Sequence, residues 1–183
     1  MKKIVALFSG EGTNLANLIE KIHCKHGVIT CAITNNPNAK GIAKAKAANI
    51  PVEICDHTLY DSRESYDTAL VKMIQEYNPD LVVLCGFMRI LTPIFTSQIK
   101  AINLHPSLLP AFKGARAIER SFESDEKICG VSVHWVSDEL DGGTIILQKS
   151  FTKNPNDTLE EFSAKIREIE HEILPLSIIH LLT

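Results

Sequence analysis

The chain has 183 residues, of which 45% are hydrophobic and 22% are charged, and its formal net charge is −3. These values are ordinary for a globular protein, and they predict one domain over residues 1–183. The slightly acidic balance excludes a general electrostatic attraction for nucleic acid, so an anionic ligand would have to be held by local donors.

The first part of the chain alternates short apolar runs with segments of helical spacing. Residues 4–8 form an apolar run that ends at a glycine turn, which predicts a buried strand. Apolar residues from 15 to 22 then recur at helical spacing. Further strands are predicted at residues 28–34, 52–54 and 81–84, and further helices at residues 41–48, 62–77 and 93–98. Asp61, with Glu64 three residues later, is the predicted cap of the helix at 62–77.

The apolar segment from Ile99 to Leu104 predicts another strand. Residues 131–136 and 144–150 predict two more strands, which we expect to pair antiparallel. Strands and helices in this order predict an α/β fold, with a mostly parallel sheet, helices on both faces and an antiparallel C-terminal addition.

A long C-terminal helix is indicated by apolar residues that recur between 159 and 173. Thr158, with Glu161 three residues later, matches the capping box that begins many helices. We expect Pro175 to disturb this helix, because proline lacks the backbone N–H that a helix interior uses.

The loop at residues 9–14, Ser-Gly-Glu-Gly-Thr-Asn, joins the first predicted strand to the first predicted helix. Backbone amides and the helix dipole make such a position a site for anions, particularly phosphate. The loop is not a dinucleotide fingerprint, because Leu15 stands where the third glycine would be, and it is not a Walker loop. From the loop alone, a tight glycine turn that binds nothing is an equal alternative.

Asn103 and His105 lie two residues apart at the end of a predicted strand, so their side chains point to the same face. Prolines end that strand at its carboxyl end, where open α/β sheets bind ligands. Asp141 stands beside two glycines that allow close approach of backbones, and it is a candidate partner for His105. An amide, an imidazole and a carboxylate together indicate an acyl-transfer site.

The other histidines have ordinary explanations. We expect structural or solvated roles for His23, His26, His57 and His180. His134 alternates with Val133 and Trp135 on a predicted strand and so faces away from them, in a direction that could include the site. We nevertheless favour a structural role for His134.

The five cysteines are scattered, without a C-x-x-C pair. Their odd number and spacing favour reduced thiols in a cytoplasmic protein and give no reason to expect a zinc site. The longest uncharged apolar run, at residues 81–88, is much shorter than the roughly 20 residues that span a bilayer. We therefore expect no membrane role.

Four segments, spread from residue 8 to residue 143, match the order of motifs in one known family. They are Phe8–Leu15 (FSGEGTNL), Gly86–Leu91 (GFMRIL), Asn103–Pro110 (NLHPSLLP) and Asp138–Gly143 (DELDGG). Together with Glu170-His171, these segments resemble the phosphoribosylglycinamide formyltransferases, which are folate-dependent enzymes of purine synthesis.

The resemblance implies a Rossmann-like formyltransferase fold with a phosphate-binding half, residues 1–100, and a catalytic and folate-binding half, residues 101–183. It implies transfer of a formyl group from 10-formyltetrahydrofolate to the glycine amine of N1-(5-phospho-D-ribosyl)glycinamide in IMP biosynthesis. It also implies small-molecule substrates only, without nucleic acid, membrane or metal, and a cytoplasmic monomer or homodimer.

The resemblance assigns roles to individual residues. It implies catalytic roles for Asn103, His105 and Asp141. It implies that glycinamide ribonucleotide contacts Gly12, Thr13, Asn14, Pro106 and Glu170. It implies that folate contacts Arg63, Met88, Arg89, Ile90, Leu91, Asn103, Val136, Ser137, Asp138, Glu139, Leu140 and Asp141. For Arg63, a solvated surface charge is an equal alternative.

The chain departs from the family at Ile118, where members often carry a histidine, so we give the loop at 110–122 no catalytic role. The resemblance also suggests a cis peptide bond at Leu109-Pro110. Alternative functions are formyl transfer to an amino sugar or to initiator methionyl-tRNA, hydrolysis of the formylated folate, and binding of nucleotide or folate without catalysis. The presence of all three candidate catalytic residues argues against the last.

Overall fold

The computed structural model describes all residues from 1 to 183. In chain order the elements are β1 (Lys3–Phe8), α1 (Thr13–Lys21), β2 (Val28–Thr34), α2 (Gly41–Ala47), β3 (Val52–Ile54), α3 (Arg63–Glu76), β4 (Leu81–Leu84), α4 (Pro93–Thr96), β5 (Ala101–His105), α5 (Ala117–Glu123), β6 (Ile128–Trp135), β7 (Ile145–Thr152) and α6 (Leu159–Leu182). The seven strands form one sheet in the order β3-β2-β1-β4-β5-β6-β7. The predicted α/β class, with a mostly parallel sheet and an antiparallel C-terminal pair, is confirmed.

The chain divides into two compact units, one of residues 1–102 with 182–183 and one of residues 103–181. In the first unit, β1 pairs in parallel with both β2 and β4, and β2 pairs in parallel with β3. Residues 4–8 of β1 are fully buried, and β4 is almost fully buried. Parallel strands covered on both faces carry apolar side chains throughout, so they were visible in the sequence as continuous apolar runs.

The start of α3 differs from the prediction by one residue. Ser62 caps the helix: its Oγ accepts a hydrogen bond from the backbone N–H of Ser65 at 3.0 Å, and Ser65 Oγ accepts one from Ser62 N–H at 3.2 Å. The predicted cap, Asp61 with Glu64, is therefore wrong. The hydroxyl groups of Ser62 and Ser65 therefore form the reciprocal hydrogen bonds of a capping box, in which the third helical residue is usually a glutamate or glutamine.

In the second unit, β6 and β7 form an antiparallel pair. The predicted capping box of α6 is confirmed, because Glu161 N–H donates to Thr158 Oγ1 at 3.2 Å and Thr158 N–H donates to Glu161 Oε2 at 2.8 Å. Pro175 lies inside α6 and does not end it, since the helix continues to Leu182. A proline removes one backbone donor, and buried residues on both sides of it hold the helix in place.

The short helix α5 lies where only a loop was predicted. It has seven residues, of which Ala117 and Ser121 are buried. A helix this short shows too few apolar repeats for its period to be recognised in the sequence. No helix of the protein has both the length and the apolar character that a membrane span requires.

Ser132, which is fully buried in β6, fixes the backbone that follows β5. Its hydroxyl donates to the carbonyl of Ser107 at 2.7 Å and accepts from Leu109 N–H at 3.0 Å and from Gln148 Nε2 at 2.8 Å. Gln148 Nε2 also donates to the carbonyl of Leu109 at 3.0 Å. The Leu109-Pro110 peptide bond is cis, as the resemblance suggested.

Replacing Ser132 with alanine should lower the free energy of unfolding by about 1–3 kcal/mol, because buried groups lose their hydrogen-bond partner. Chemical denaturation at equilibrium measures this loss. The matched control is Ser150→Ala, an exposed position on β7, which should change the value by less than about 0.5 kcal/mol. Equal effects of the two substitutions would contradict the role given to Ser132.

Candidate active site

The second unit brings the three predicted catalytic side chains into one network. His105 Nδ1 lies 3.4 Å from Asp141 Oδ2, and both side chains are more than nine-tenths buried. Asn103 joins them through a fourth residue, His134, because Asn103 Nδ2 lies 3.3 Å from His134 Nε2. His134 Nε2 in turn lies 3.6 Å from Asp141 Oδ1. One carboxylate therefore faces two imidazoles.

Both ring nitrogens of His105 face hydrogen-bond acceptors. Nδ1 faces the carboxylate of Asp141, and Nε2 lies 2.8 Å from the carbonyl oxygen of Phe112. Neither a carboxylate nor a carbonyl can donate, so only a doubly protonated ring satisfies both contacts. The arrangement favours an imidazolium at His105.

A donor and a neighbouring ring stabilise the negative charge of Asp141. Burial raises the pKa of Asp141, whereas the backbone N–H of Gly114 and the charge of the His105 ring lower it, and this pKa lies below its ordinary value. The Gly114 N–H donates to Asp141 Oδ2 at 2.8 Å. Asp141 is therefore ionised at neutral pH. Its contribution to stability is complete above the ordinary carboxyl pKa of about 3.9 and is lost as the pH falls below it.

The backbone around Asp141 depends on the two glycines that follow it. Asp141 itself adopts a left-handed φ of 53°. An added Cβ on Gly143 would collide with the carbonyl oxygen of Trp135, and one on Gly142 would collide with the side chain of Glu139. The close approach expected from the Asp-Gly-Gly sequence is therefore present.

The segment 111–116 lies beside His105 and is held by Arg120 of α5. Arg120 Nη2 donates to the carbonyl of Phe112 at 3.2 Å, and its Nε donates to the carbonyl of Ala115 at 3.0 Å. The guanidinium also lies 5.9 Å from the centre of the Phe112 ring. Sequence reasoning gave this segment no part in the site, because its contacts are made mostly by backbone carbonyls that leave no pattern of side chains.

His134, for which the sequence favoured a structural role, is part of the network. It is 2% exposed and lies on β6. The alternation of β6 was the available signal, since it turned His134 away from Val133 and Trp135. The alternation indicated the direction of the His134 side chain but not the groups that it meets. Those groups are Asn103 on β5 and Asp141 in the turn after β6.

The glycine loop belongs to the first unit and leads into α1. Gly12, directly before α1, has a left-handed φ of 73°, and no side chain caps the helix. Lys44 Nζ donates to the carbonyl of Glu11 at 2.6 Å, and Lys40 Nζ lies 3.1 Å from the Glu11 carboxylate. Backbone amides at a helix start with ammonium groups nearby suit a phosphate. Thr13 is exposed and Asn14 half-buried at this start.

Ser9 connects the glycine loop to residues 86–91. Its N–H donates to the carbonyl of Gly86 at 3.1 Å, and its hydroxyl accepts from Met88 N–H at 2.8 Å. The same hydroxyl donates to Asn35 Oδ1 at 2.5 Å. The loop expected to bind phosphate and the segment expected to contact folate are therefore fixed to each other by one residue, through its backbone N–H and its hydroxyl.

The predicted folate-contacting residues of the first unit are mostly accessible. Met88 is 73% exposed and Ile90 47% exposed, and Leu91 is half-buried. The guanidinium of Arg89 lies 5.5 Å from the centre of the Tyr66 ring. Exposed apolar side chains next to an arginine suit a ligand with an aromatic body and an anionic tail. Arg63 is exposed at the first position of α3, and nothing in the structure favours a ligand there over solvent.

The remaining predicted binding residues lie in the second unit. Val136 and Ser137 are half-buried after β6, and Asp138, Glu139 and Leu140 are exposed in the turn that leads to Asp141. Pro106 is half-buried directly after His105, and Glu170 is half-buried in α6. No group of three or more His, Cys, Asp or Glu side chains is placed to hold a metal ion, and all five cysteines are free thiols.

Known proteins are similar to this chain in both sequence and fold. A family model described as formyl transferase matches residues 2–178. Phosphoribosylglycinamide formyltransferase of Haemophilus influenzae is 40% identical, over 97% of this chain and 86% of that protein. The Escherichia coli protein of the same name is 40% identical, over 96% of this chain and 84% of that protein.

A crystal structure of phosphoribosylglycinamide formyltransferase from Campylobacter jejuni matches this fold with a TM-score of 0.97 at 54% identity, covering 100% of this chain and 98% of that chain. The resemblance drawn from the four sequence segments is confirmed. The chain belongs to the formyl transferase family.

Proposed function

We propose that this chain transfers a formyl group from 10-formyltetrahydrofolate to the glycine amine of N1-(5-phospho-D-ribosyl)glycinamide, a step of IMP biosynthesis. The observation that carries the proposal is the buried pair of His105 and Asp141, 3.4 Å apart, with Asn103 in the same network. The relatives named above carry this activity in their names, and their similarity extends over nearly the whole chain.

The proposed reaction is an acyl transfer from one nitrogen to another. The neutral glycine amine attacks the formyl carbon, a C–N bond forms, and the formyl oxygen becomes an oxyanion. The bond between the formyl carbon and N10 of the folate then breaks. The proton lost by the attacking amine ends on N10, and tetrahydrofolate leaves. The charge on the oxyanion is what the protein must stabilise.

Asn103 and His105 are the proposed donors to that oxyanion, because they share one face of β5. The Nε2–H of His105 donates to the Phe112 carbonyl in the structure. In the reaction the formyl oxygen would take the place of that carbonyl, so segment 111–116 would move aside. Asp141 would keep the ring of His105 charged and oriented, and it would stay ionised throughout the reaction.

The binding roles are proposed by residue. The amides at Gly12, Thr13 and Asn14 would hold the substrate phosphate, and Pro106 and Glu170 would contact its glycinamide part. Folate would lie along residues 88–91 and 136–141. We further propose residues 1–100 and 101–183 as the phosphate-binding and the catalytic halves of one domain, in a cytoplasmic monomer or homodimer that needs no metal.

Purified protein should deformylate 10-formyltetrahydrofolate only when glycinamide ribonucleotide is also present. The measurement follows the absorbance of the deformylated folate with 10-formyltetrahydrofolate alone, and then with glycinamide ribonucleotide, an amino sugar or initiator methionyl-tRNA added. Turnover that depends on glycinamide ribonucleotide is expected. Release of formate without any acceptor would instead indicate the hydrolase, and turnover only with another acceptor would reject the proposed substrate.

Asp141→Asn should lower kcat by about 10²-fold or more, because a neutral amide no longer favours the charged ring that stabilises the oxyanion. The change in the free energy of unfolding should be much smaller than the free-energy equivalent of the loss in kcat. Steady-state kinetics and chemical denaturation measure the two effects, and Asp125→Asn, at an exposed position outside the site, is the control. A loss of stability large enough to account for the loss of turnover would contradict this role.

The glycine loop offers a matched pair of substitutions. An added Cβ at Gly12 would lie 2.7 Å from the Cα of Gly41, whereas Gly10 has open space around it. Gly12→Ala should therefore shift the start of α1 and raise KM for glycinamide ribonucleotide by about tenfold, equivalent to 1.4 kcal/mol, with little change in KM for the folate. Gly10→Ala should leave both values nearly unchanged. Equal rises in both KM values for Gly12→Ala would argue against a phosphate-specific role.

A further inference from the structure

The hydrogen-bond partners of His134 differ from those of His105. His134 Nδ1 lies 2.9 Å from the carbonyl oxygen of Trp135, which can only accept, so Nδ1 carries a proton. His134 Nε2 faces two groups with opposite requirements. Asn103 Nδ2, a donor, is 3.3 Å away, and Asp141 Oδ1, an acceptor, is 3.6 Å away.

A single nitrogen cannot serve both of these groups at once. If Nε2 has no proton, its lone pair accepts from Asn103 Nδ2, and the contact with Asp141 is not a hydrogen bond. If Nε2 is protonated, it donates to Asp141 and points a hydrogen at the NH2 group of Asn103. The amide would then have to turn by about 180° to present its oxygen to the ring.

The geometry points to the neutral ring. The Asn103 contact is within hydrogen-bond distance, and the Asp141 contact is slightly beyond it. Charge balance gives the same answer, because His105, with two acceptors, already supplies one positive charge to the single carboxylate. A second positive charge at His134 would leave this buried cluster with a net charge, which burial disfavours.

We propose that neutral His134 is a positioning residue, which accepts one N–H of Asn103 and thereby leaves the second N–H of the same amide for the formyl oxygen. An amide NH2 has two donors, so one can anchor the group while the other acts on the substrate. The part played by Asn103 rests on the proposed function, whereas the protonation and direction of the two side chains do not.

One charged group, the carboxylate of Asp141, faces the ring of His134 directly. Asp141 faces it from the turn after β6, and His105 faces the other oxygen of that carboxylate from the end of β5. On the neighbouring strand β7, the residue opposite His134 is Ile145, which carries no charge.

Kinetics test the positioning role through two substitutions at the same position. His134→Gln keeps an acceptor near the place of Nε2 and cannot become charged, and it should keep kcat within a few-fold of the unsubstituted protein. His134→Leu removes the acceptor and should lower kcat by roughly tenfold or more, with little change in either KM, since a freely turning amide loses part of the donor effect of about 10²–10³-fold. Thermal melting checks that both variants are folded.

A double-substitution cycle separates positioning from packing. In an Asn103→Ala background, His134→Leu should cost almost nothing more in kcat, because the group that His134 positions is already absent. A packing defect would lower kcat by a similar factor in both backgrounds. Additive losses, or equal losses for His134→Gln and His134→Leu, would overturn the proposal.

Nitrogen NMR of the labelled protein tests the same proposal without any turnover. At neutral pH, His134 should show a protonated Nδ1 and an unprotonated Nε2. On acidification, the side-chain NH2 signals of Asn103 should shift with the protonation of this ring and should not shift in His134→Gln. A protonated Nε2 at neutral pH would overturn the assignment. If the protein transferred no formyl group to glycinamide ribonucleotide, the proposed function would fail and the NMR result would still decide the role of His134.

Discussion

The buried carboxylate of Asp141 is the interaction on which the rest of the site depends. A charged group in a protein interior is costly unless donors and opposite charges surround it. Here those groups are the N–H of Gly114 and the ring of His105. They keep the pKa of Asp141 low against the effect of burial. Without the carboxylate, His105 would lose the group that favours its charged form.

The backbone around this carboxylate is arranged at some cost. Asp141, Phe112 and Arg116 all have left-handed φ angles, which cost side chains roughly 1–2 kcal/mol each relative to ordinary backbone. Contacts elsewhere compensate, because Arg120 binds the carbonyls of segment 111–116 and Ser132 binds the backbone after β5. Strands thus supply Asn103, His105 and His134, while turns with left-handed residues supply the Asp141 carboxylate that faces both rings and the Phe112 carbonyl that faces His105.

Much of the fold could be predicted because buried parallel strands have a strong sequence pattern, and β2, β3 and β4 have the predicted bounds. The proximity of His105 and Asp141 could be predicted because two-residue spacing on a strand and a glycine pair both restrict direction. The partners of His134 could not, since a strand's alternation shows which way a side chain points and not what it meets. The cap of α3 was misplaced because Asp61 and Ser62 are both good capping residues, and the hydrogen bonds between Ser62 and Ser65 decide between them.

The two histidines show how neighbours assign different chemistry to the same side chain. His105 lies between two acceptors, an arrangement that favours a doubly protonated ring. His134 lies between one acceptor at Nδ1 and a competing donor and acceptor at Nε2, so its best state is neutral. One negative charge on Asp141 can compensate one imidazolium, and the second ring is therefore available as an acceptor. Because both rings share this carboxylate, the charge on His105 is linked, through the neutral state of His134, to the orientation of the Asn103 amide.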